Sequence, residues 1–411
     1  MPGIAALTAG YVLSQFYRSF LAVLAPQLQA EIGMSASQMS VALGAWFVAF
    51  ALMQFPVGAA LDRFGPRRTG AGVLLAAAAG ALLFAFASTP LHITLAMALI
   101  GVGCSAVLMA TIYLFARNYS PAMMATLGAT FIAVGSLGNI IGSSPMAAAE
   151  EAWGWRATMS GLGAFTFAVA VAVFVLVRDP ERIAHAPAAG SRGNGYLQLL
   201  ADRRLWPILP CVLMGYALAA GVRGIWAGPY LHDVHGLTAR EIGGVTFWMA
   251  LALAVGSLFY GPMDRIFNSR KWVVFFGNAV AMAAVGALAV LPSPSVMTVT
   301  VLFVLIGLFG ASYAVQMAHV RAFVPAHLTG RGVTLMNFFS IGGVGLMQVA
   351  TGETFTAFGG AATGASSYQA LFAIYALTLG LALLIYLAAP DAPPRSAVVS
   401  PQAIPPSRRS A

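Results

Sequence analysis

Apolar stretches of about twenty residues follow one another along nearly the whole chain, and they restrict the fold more than any motif does. A bilayer core takes roughly 20 apolar residues per crossing helix. Twelve segments meet that length between charged or Pro/Gly-rich breaks: 4–27, 38–60, 69–89, 92–115, 122–148, 157–177, 205–230, 241–263, 272–292, 296–319, 331–352 and 368–389. With 60% hydrophobic and 8% charged residues, a chain of 411 has too little polar surface to cover a water-soluble core of that size. Lipid offers the backbone no hydrogen bonds, so the crossing segments must be helices. The expectation is an all-α membrane protein with twelve transmembrane helices. The first segment lacks a basic n-region and holds Arg18 inside its apolar stretch, so it reads as a retained helix and not as a secretory signal. Cys104 and Cys211 both fall within crossing segments, where they serve as small apolar side chains and not as a disulfide framework.

Basic residues set the expected orientation. Arg18 and Arg223 lie within segments, and Arg156 and Arg240 are alone in the connections on one side. The rest of the 21, among them Arg63, Arg67, Arg68, Arg117, Arg265, Arg270 and Lys271, fall on the other. Cytoplasmic loops accumulate Lys and Arg, so both termini are expected in the cytoplasm. The net charge of +9 is thus a topology signal. Scattered over short connections without stacking aromatics, these arginines argue against a nucleic-acid partner.

The chain also repeats itself. One displacement carries Pro26 onto Pro229, Leu28 onto Leu231, Gly33 onto Gly236 and Gly58 onto Gly261. Six crossings per repeat bring both copies into the membrane in the same sense, giving two pseudo-symmetric six-helix bundles. The expected divisions are an N-terminal bundle over 1–178, a Pro/Gly/Arg-rich cytoplasmic linker over 179–204 with a short amphipathic helix near Leu197 to Leu205, a C-terminal bundle over 205–390, and a disordered tail over 391–411.

Between the second and third segments stands "GAALDRFGPRR", residues 58–68, a dense cluster of charge in a chain that has little. Gly58 permits close approach of a neighbouring helix, and Gly65 allows the tight reversal before the next span. Topology requires the arginines but not Asp62. A carboxylate at the membrane boundary is stabilised by about 0.3–2 kcal/mol beside a helix N-terminus or an arginine. If its partner belongs to the other bundle, that contact exists in only one arrangement of the two.

Gly58, Asp62, Arg63, Gly65, Arg67 and Arg68 resemble the loop between helices 2 and 3 of the major facilitator superfamily. A degenerate echo, Gly261, Asp264, Arg265, Arg270 and Lys271, has Asn268 in place of the second glycine. The resemblance implies a secondary transporter working by rocker-switch alternating access. In it the motif, with Arg117 at the end of helix 4, latches the cytoplasmic gate. It implies no enzyme activity, no cofactor and no metal, and a monomer whose partners are the bilayer, a small solute and a coupling ion or counter-substrate.

No phosphate-binding GxxxxGK[ST] loop is present, which excludes ATP as fuel. All 12 acidic residues fall in loops or at segment ends, so a buried-carboxylate proton relay is disfavoured. Of the six histidines, His319 alone approaches a segment interior, and it reads as a partly solvated interfacial residue. Gly135, Gly138 and Gly142 in the fifth segment read as a close helix contact. Trp46, Tyr113 and Trp248 read as packing or interfacial aromatics.

What remains inside the membrane is positive. Arg18 shares a helical face with Tyr11 and Gln15, and Arg223 shares one with Tyr216 and Tyr230, with Trp226 alongside. A guanidinium at mid-span costs about 2.5–3.5 kcal/mol or more, so a functional reason is the default. Two arginines facing each other across the pseudo-axis form a clamp for a carboxylate or phosphate. The layout resembles the organophosphate:phosphate antiporters of the superfamily, without their accompanying polar and histidine residues. The sequence thus points to a permease for a small organic anion, with Arg18, Arg223, Gln15 and Tyr216 as substrate residues. A drug exporter with incidental arginines and a non-transporting membrane sensor are the alternatives.

Overall fold

A computed structural model of the protein describes residues 2–118, 121–179, 194–325 and 328–394. Most of the expected linker, residues 180–193, and the tail from 395 onward lie outside them, as do the side chains of Asp62 and Arg117. Among the described residues ten helices are long and apolar enough to cross a membrane, from Ala36–Leu61 and Arg63–Ala85 through to Ala365–Tyr386.

Two expected spans are not in that set: the first is interrupted, and the first half of the fifth includes residues whose side chains lie outside the described ones. The first consists of Pro2–Phe16 and Leu21–Ile32, pieces of 15 and 12 residues. At about 1.5 Å per residue neither alone crosses a core of about 30 Å. The fifth is divided into Pro121–Gly135, Leu137–Ile141 and the start of Ser144–Leu176. It runs several residues beyond its expected end at 148, and the reversal into the sixth span comes at Gly154 (φ 74°), a backbone conformation that glycine adopts without strain. The linker forms a helix over Asn194–Ala201 before the seventh span, Leu209–His235.

Interruptions recur in spans one, four, seven and ten. The chain leaves regular helix at Tyr17–Phe20, at Ser105–Ala106, at Val222–Trp226 (a π-turn) and at Gly310–Ser312. Serine hydroxyls take up freed backbone or neighbouring amide groups at three of these. Ser19 donates to the Phe16 carbonyl at 3.1 Å, Ser105 donates to the Val102 carbonyl at 2.6 Å, and Ser312 accepts from Asn278 and Gln316, each at 3.0 Å. Such hydroxyls compete with the helical ladder and allow a bend in lipid without an orphaned backbone group.

Glycines set the closest helix contacts. A Cβ on Gly138 would collide with the Val12 carbonyl, and one on Gly135 would strike the Tyr11 ring, so the fifth span sits directly on the first, as its small-residue ladder predicted. The two six-helix halves meet most tightly at the end away from the arginine-rich loops. There Ser37 donates to the Gly352 carbonyl at 3.1 Å, Ser40 donates to the Gln348 carbonyl at 2.7 Å, and Ser144 donates to the Gly243 carbonyl at 3.1 Å. A Cβ on Gly228 would run into the Ala22 carbonyl. Leu21–Ile32 packs on Ala227–His235, whereas no comparable packing joins Pro2–Phe16 to Leu209–Gly221. The halves are therefore sealed at one end, and the second and eleventh spans stay in contact beyond it, Gln54 with Asn337 and Phe55 with Phe338.

Candidate functional site

Both intramembrane arginines stand at the interruptions, Arg18 in the bend of span one and Arg223 in the π-turn of span seven. The two segments touch across the seam, for a Cβ on Gly224 would lie 2.8 Å from the Arg18 carbonyl oxygen. Arg18 lies within electrostatic range of Tyr11, Tyr313 and Arg223, and Tyr216 within range of Arg223. Gln15 donates to the Tyr11 hydroxyl at 3.3 Å, so these two share one helical face.

The arginines are held differently. Arg18 is 6% exposed, and its guanidinium lies 5.0 Å from the ring centres of both Trp46 and Phe50. Two cation–π contacts of about 0.5–2 kcal/mol each offset much of its burial. Arg223 is 2% exposed, and among the described residues none of its three guanidinium nitrogens has a hydrogen-bond partner. Tyr216 lies beside it as a polar neighbour. A buried cation without a hydrogen-bond partner is costly to keep, and the burial of Arg223 therefore calls for a reason beyond packing.

Several expected roles change. The π-turn adds a residue to the helical repeat and rotates the remainder of the span, so Tyr230 leaves the face of Arg223. It packs instead among Phe303, Tyr368 and Phe372. Trp226 donates to Thr351 at 3.0 Å within its own half. His319 is not solvated. It is 0% exposed, with its ring nitrogens 2.6 Å from the Tyr386 hydroxyl and 2.9 Å from the Pro390 carbonyl, and so joins span ten to span twelve. Trp46 is part of the site, lying under Arg18, whereas Trp248 is 54% exposed on the outside. Tyr313, Phe50, Gln54 and Asn337 belong to the same region and were not singled out from sequence. Their signal there was only that Gln54 and Asn337 are amides inside apolar stretches.

The charged turn is anchored within its own half. Gly65 has φ 80°, and the Asp179 carboxylate fills the space where a Cβ would stand. Asp179 accepts from the Arg67 backbone N–H at 2.8 Å, while the Arg67 side chain donates to the Phe174 carbonyl at 2.5 Å. Arg63 lies 5.0 Å from the Phe64 ring, and Arg68 is exposed. Gly58 meets nothing within 4 Å, so the close approach expected of it is unused in this conformation.

The second half repeats the arrangement. Asp391 accepts from Ser269 and from the backbone N–H groups of Arg270 (3.2 Å) and Lys271 (3.0 Å), and the Lys271 ammonium donates to the Leu387 carbonyl at 2.6 Å. Burial opposes ionisation of Asp391, but these hydrogen bonds outweigh it and hold the carboxyl below its usual range. Asn268, standing where the first copy has glycine, adopts φ 47°, which asparagine tolerates better than most residues. Asp264 pairs with Arg270 at 3.3 Å.

Duplicated bundles, symmetric anchors and a seam lined by two arginines are thus all present. The sequence pattern of the Major Facilitator Superfamily matches residues 7–243 and, again, residues 212–409. The chain belongs to the major facilitator superfamily. Members of this superfamily are transporters and not enzymes, and this protein is a multi-pass membrane transporter of that kind. It is similar to the hexuronate transporter of Escherichia coli (strain K12), with 26% identity over 71% of this chain and 73% of that protein. It is similar also to the galacturonate transporter of Dickeya chrysanthemi, with 25% identity over 71% and 92%. Among solved folds it resembles a bacterial homologue of the human lysosomal transporter Spinster in an inward-facing, unoccupied conformation. That likeness has TM-score 0.78 and 18% identity, and covers 94% and 96% of the two chains.

Proposed function

We propose that this superfamily transporter moves a small organic anion, held between Arg18 and Arg223, by rocking of its two bundles. The observation that carries the reading is Arg223, whose guanidinium is buried without a partner beside a second arginine. Gln15 and Tyr216 orient the solute. The curated relatives named above carry uronates, which are carboxylates, and this supports an anionic cargo. Among the described residues no ion pair involves Arg18 or Arg223, which supports solute charge as what neutralises them.

In this reading the arginine-rich end faces the cytoplasm, with both termini, and the membrane is the bacterial inner membrane. The sealed end is then the outer gate, and the conformation is inward-facing. Residues 1–178 and 205–390 are the moving bundles, 179–204 the strap between them and 391–411 a tail, and the unit works as a monomer. Asp62, with Arg63 and Arg117, latches the inner gate once it closes, while Gly58, Gly65, Arg67 and Arg68 shape and anchor the turn that presents it. A coupling ion or counter-substrate completes the cycle.

The deciding experiment is counterflow of labelled carboxylates in proteoliposomes, comparing wild type with Arg18→Ala and Arg223→Ala. Saturable carboxylate flux lost in both variants supports the reading. Movement of lipophilic cations alone makes the protein a drug exporter, and carboxylate flux unchanged in both variants removes the arginines from the substrate site.

A further inference from the structure

A polar chain crosses the seam beside the arginine pair, and its direction is fixed by chemistry. Gln54, in the second span, is 1% exposed and aims its amide nitrogen at two backbone carbonyls, that of Phe50 at 3.3 Å and that of Ser105 at 3.4 Å. A carbonyl oxygen can only accept, so the amide cannot be turned around, and Gln54 Oε1 must face away from them. It accepts from Asn337 Nδ2 at 3.2 Å, in the eleventh span and therefore in the other half. Asn337 Oδ1 then accepts from the Tyr313 hydroxyl at 3.2 Å. The single proton of Tyr313 is committed to Asn337, and any further partner of that hydroxyl meets oxygen lone pairs only.

We propose that Tyr313 is a specificity-determining residue that accepts a hydrogen bond from a hydroxyl of the bound anion, with Asn337 and Gln54 as positioning residues that keep its proton turned away. This rests on the anion reading of the same site. Tyr313 is half-buried and within electrostatic range of Arg18, Tyr11 and Tyr216, so a solute whose carboxylate rests on the arginines has its body near this acceptor. An acid bearing a hydroxyl at that point fills it. The same carbon skeleton without the hydroxyl displaces water and returns nothing, which is how a site built for a hydroxyl rejects its deoxy analogue. The chain also spans the two halves, so the acceptor is set in this way only while the second and eleventh spans stay paired at this depth.

Isothermal titration of the purified full-length protein tests this with two matched pairs, malate against succinate and lactate against propionate. Wild type should bind the hydroxylated member of at least one pair about tenfold more tightly. Tyr313→Phe and Gln54→Leu should each reduce that preference to about twofold or less while leaving the affinity for the hydroxyl-free acid within about twofold. A merely structural role for Gln54 would instead weaken both members together and leave their ratio unchanged. Equal affinities within both pairs in wild type, or an unchanged ratio in Tyr313→Phe, overturns the assignment of Tyr313 while leaving the anion site standing. If none of the four acids binds, the anion reading itself fails and this inference with it.

Discussion

Removing a buried cation that has no partner should stabilise the empty protein, and Arg223→Met separates a binding residue from structural glue by the sign of that effect. The cost of a mid-span guanidinium is about 2.5–3.5 kcal/mol, so the variant should resist thermal unfolding in micelles better than wild type by about 1–3 kcal/mol. Anion affinity should fall about 30-fold or more, since truncating one member of a buried charge pair costs about 2–5 kcal/mol. A loss of stability in Arg223→Met would make the arginine a packing element. Asp391 supplies a second test at this scale. Its carboxyl titrates below the usual range when folded, so its stabilising effect is complete above the unfolded value of about 3.9 and is lost as pH falls through the lower folded value. The melting-temperature difference between wild type and Asp391→Asn should therefore stay constant from pH 8 to pH 5 and shrink only in stronger acid.

Among the elements, the seventh span sets the seal. A side chain at Gly228 would meet backbone, the Ala22 carbonyl, and no rotamer relieves a clash of that kind. Gly228→Val should therefore disfavour the sealed conformation by about 1–3 kcal/mol. Distances between spin labels on either side of the sealed end should shift toward a longer population, with the protein still folded. How much of this could be read in advance differs from element to element. Arg18, Arg223 and the spans themselves stand out because charge in a 20-residue apolar run is visible without any fold. The interruption of span one at Tyr17–Phe20 was not visible, since no glycine or proline marks it and only Ser19 hints at a bend. Tyr230 was misplaced because helical spacing assumes 3.6 residues per turn and the π-turn at Val222–Trp226 breaks that count. The Gln54–Asn337 bond and the seating of Arg18 on Trp46 depend on which helix faces meet, and periodicity within one helix holds no information about that. Asp179 and Asp391 were passed over for a related reason. They follow their spans as ordinary loop acids, and only folding brings them to the N-termini of spans three and nine.

For the molecule as a whole, alternating access requires that the serine contacts at the sealed end form and break in every cycle. Ser40 and Gln348 face each other across it at hydrogen-bonding distance, and the native Cys104 and Cys211 are buried, so a cysteine pair at 40 and 348 can be oxidised without interference. Oxidation should reduce solute uptake in proteoliposomes to background, and reductant should restore it. Full transport with the bridge intact would exclude rocking about this seam. The abutment of Gly224 on the Arg18 carbonyl has a further mechanical consequence. If the proposed anion rests on both arginines, the fulcrum of the motion lies beside the cargo, and a solute that grips both guanidinium groups acts on the pivot directly, with no lever or relay needed to tell the two slabs that the carrier is loaded.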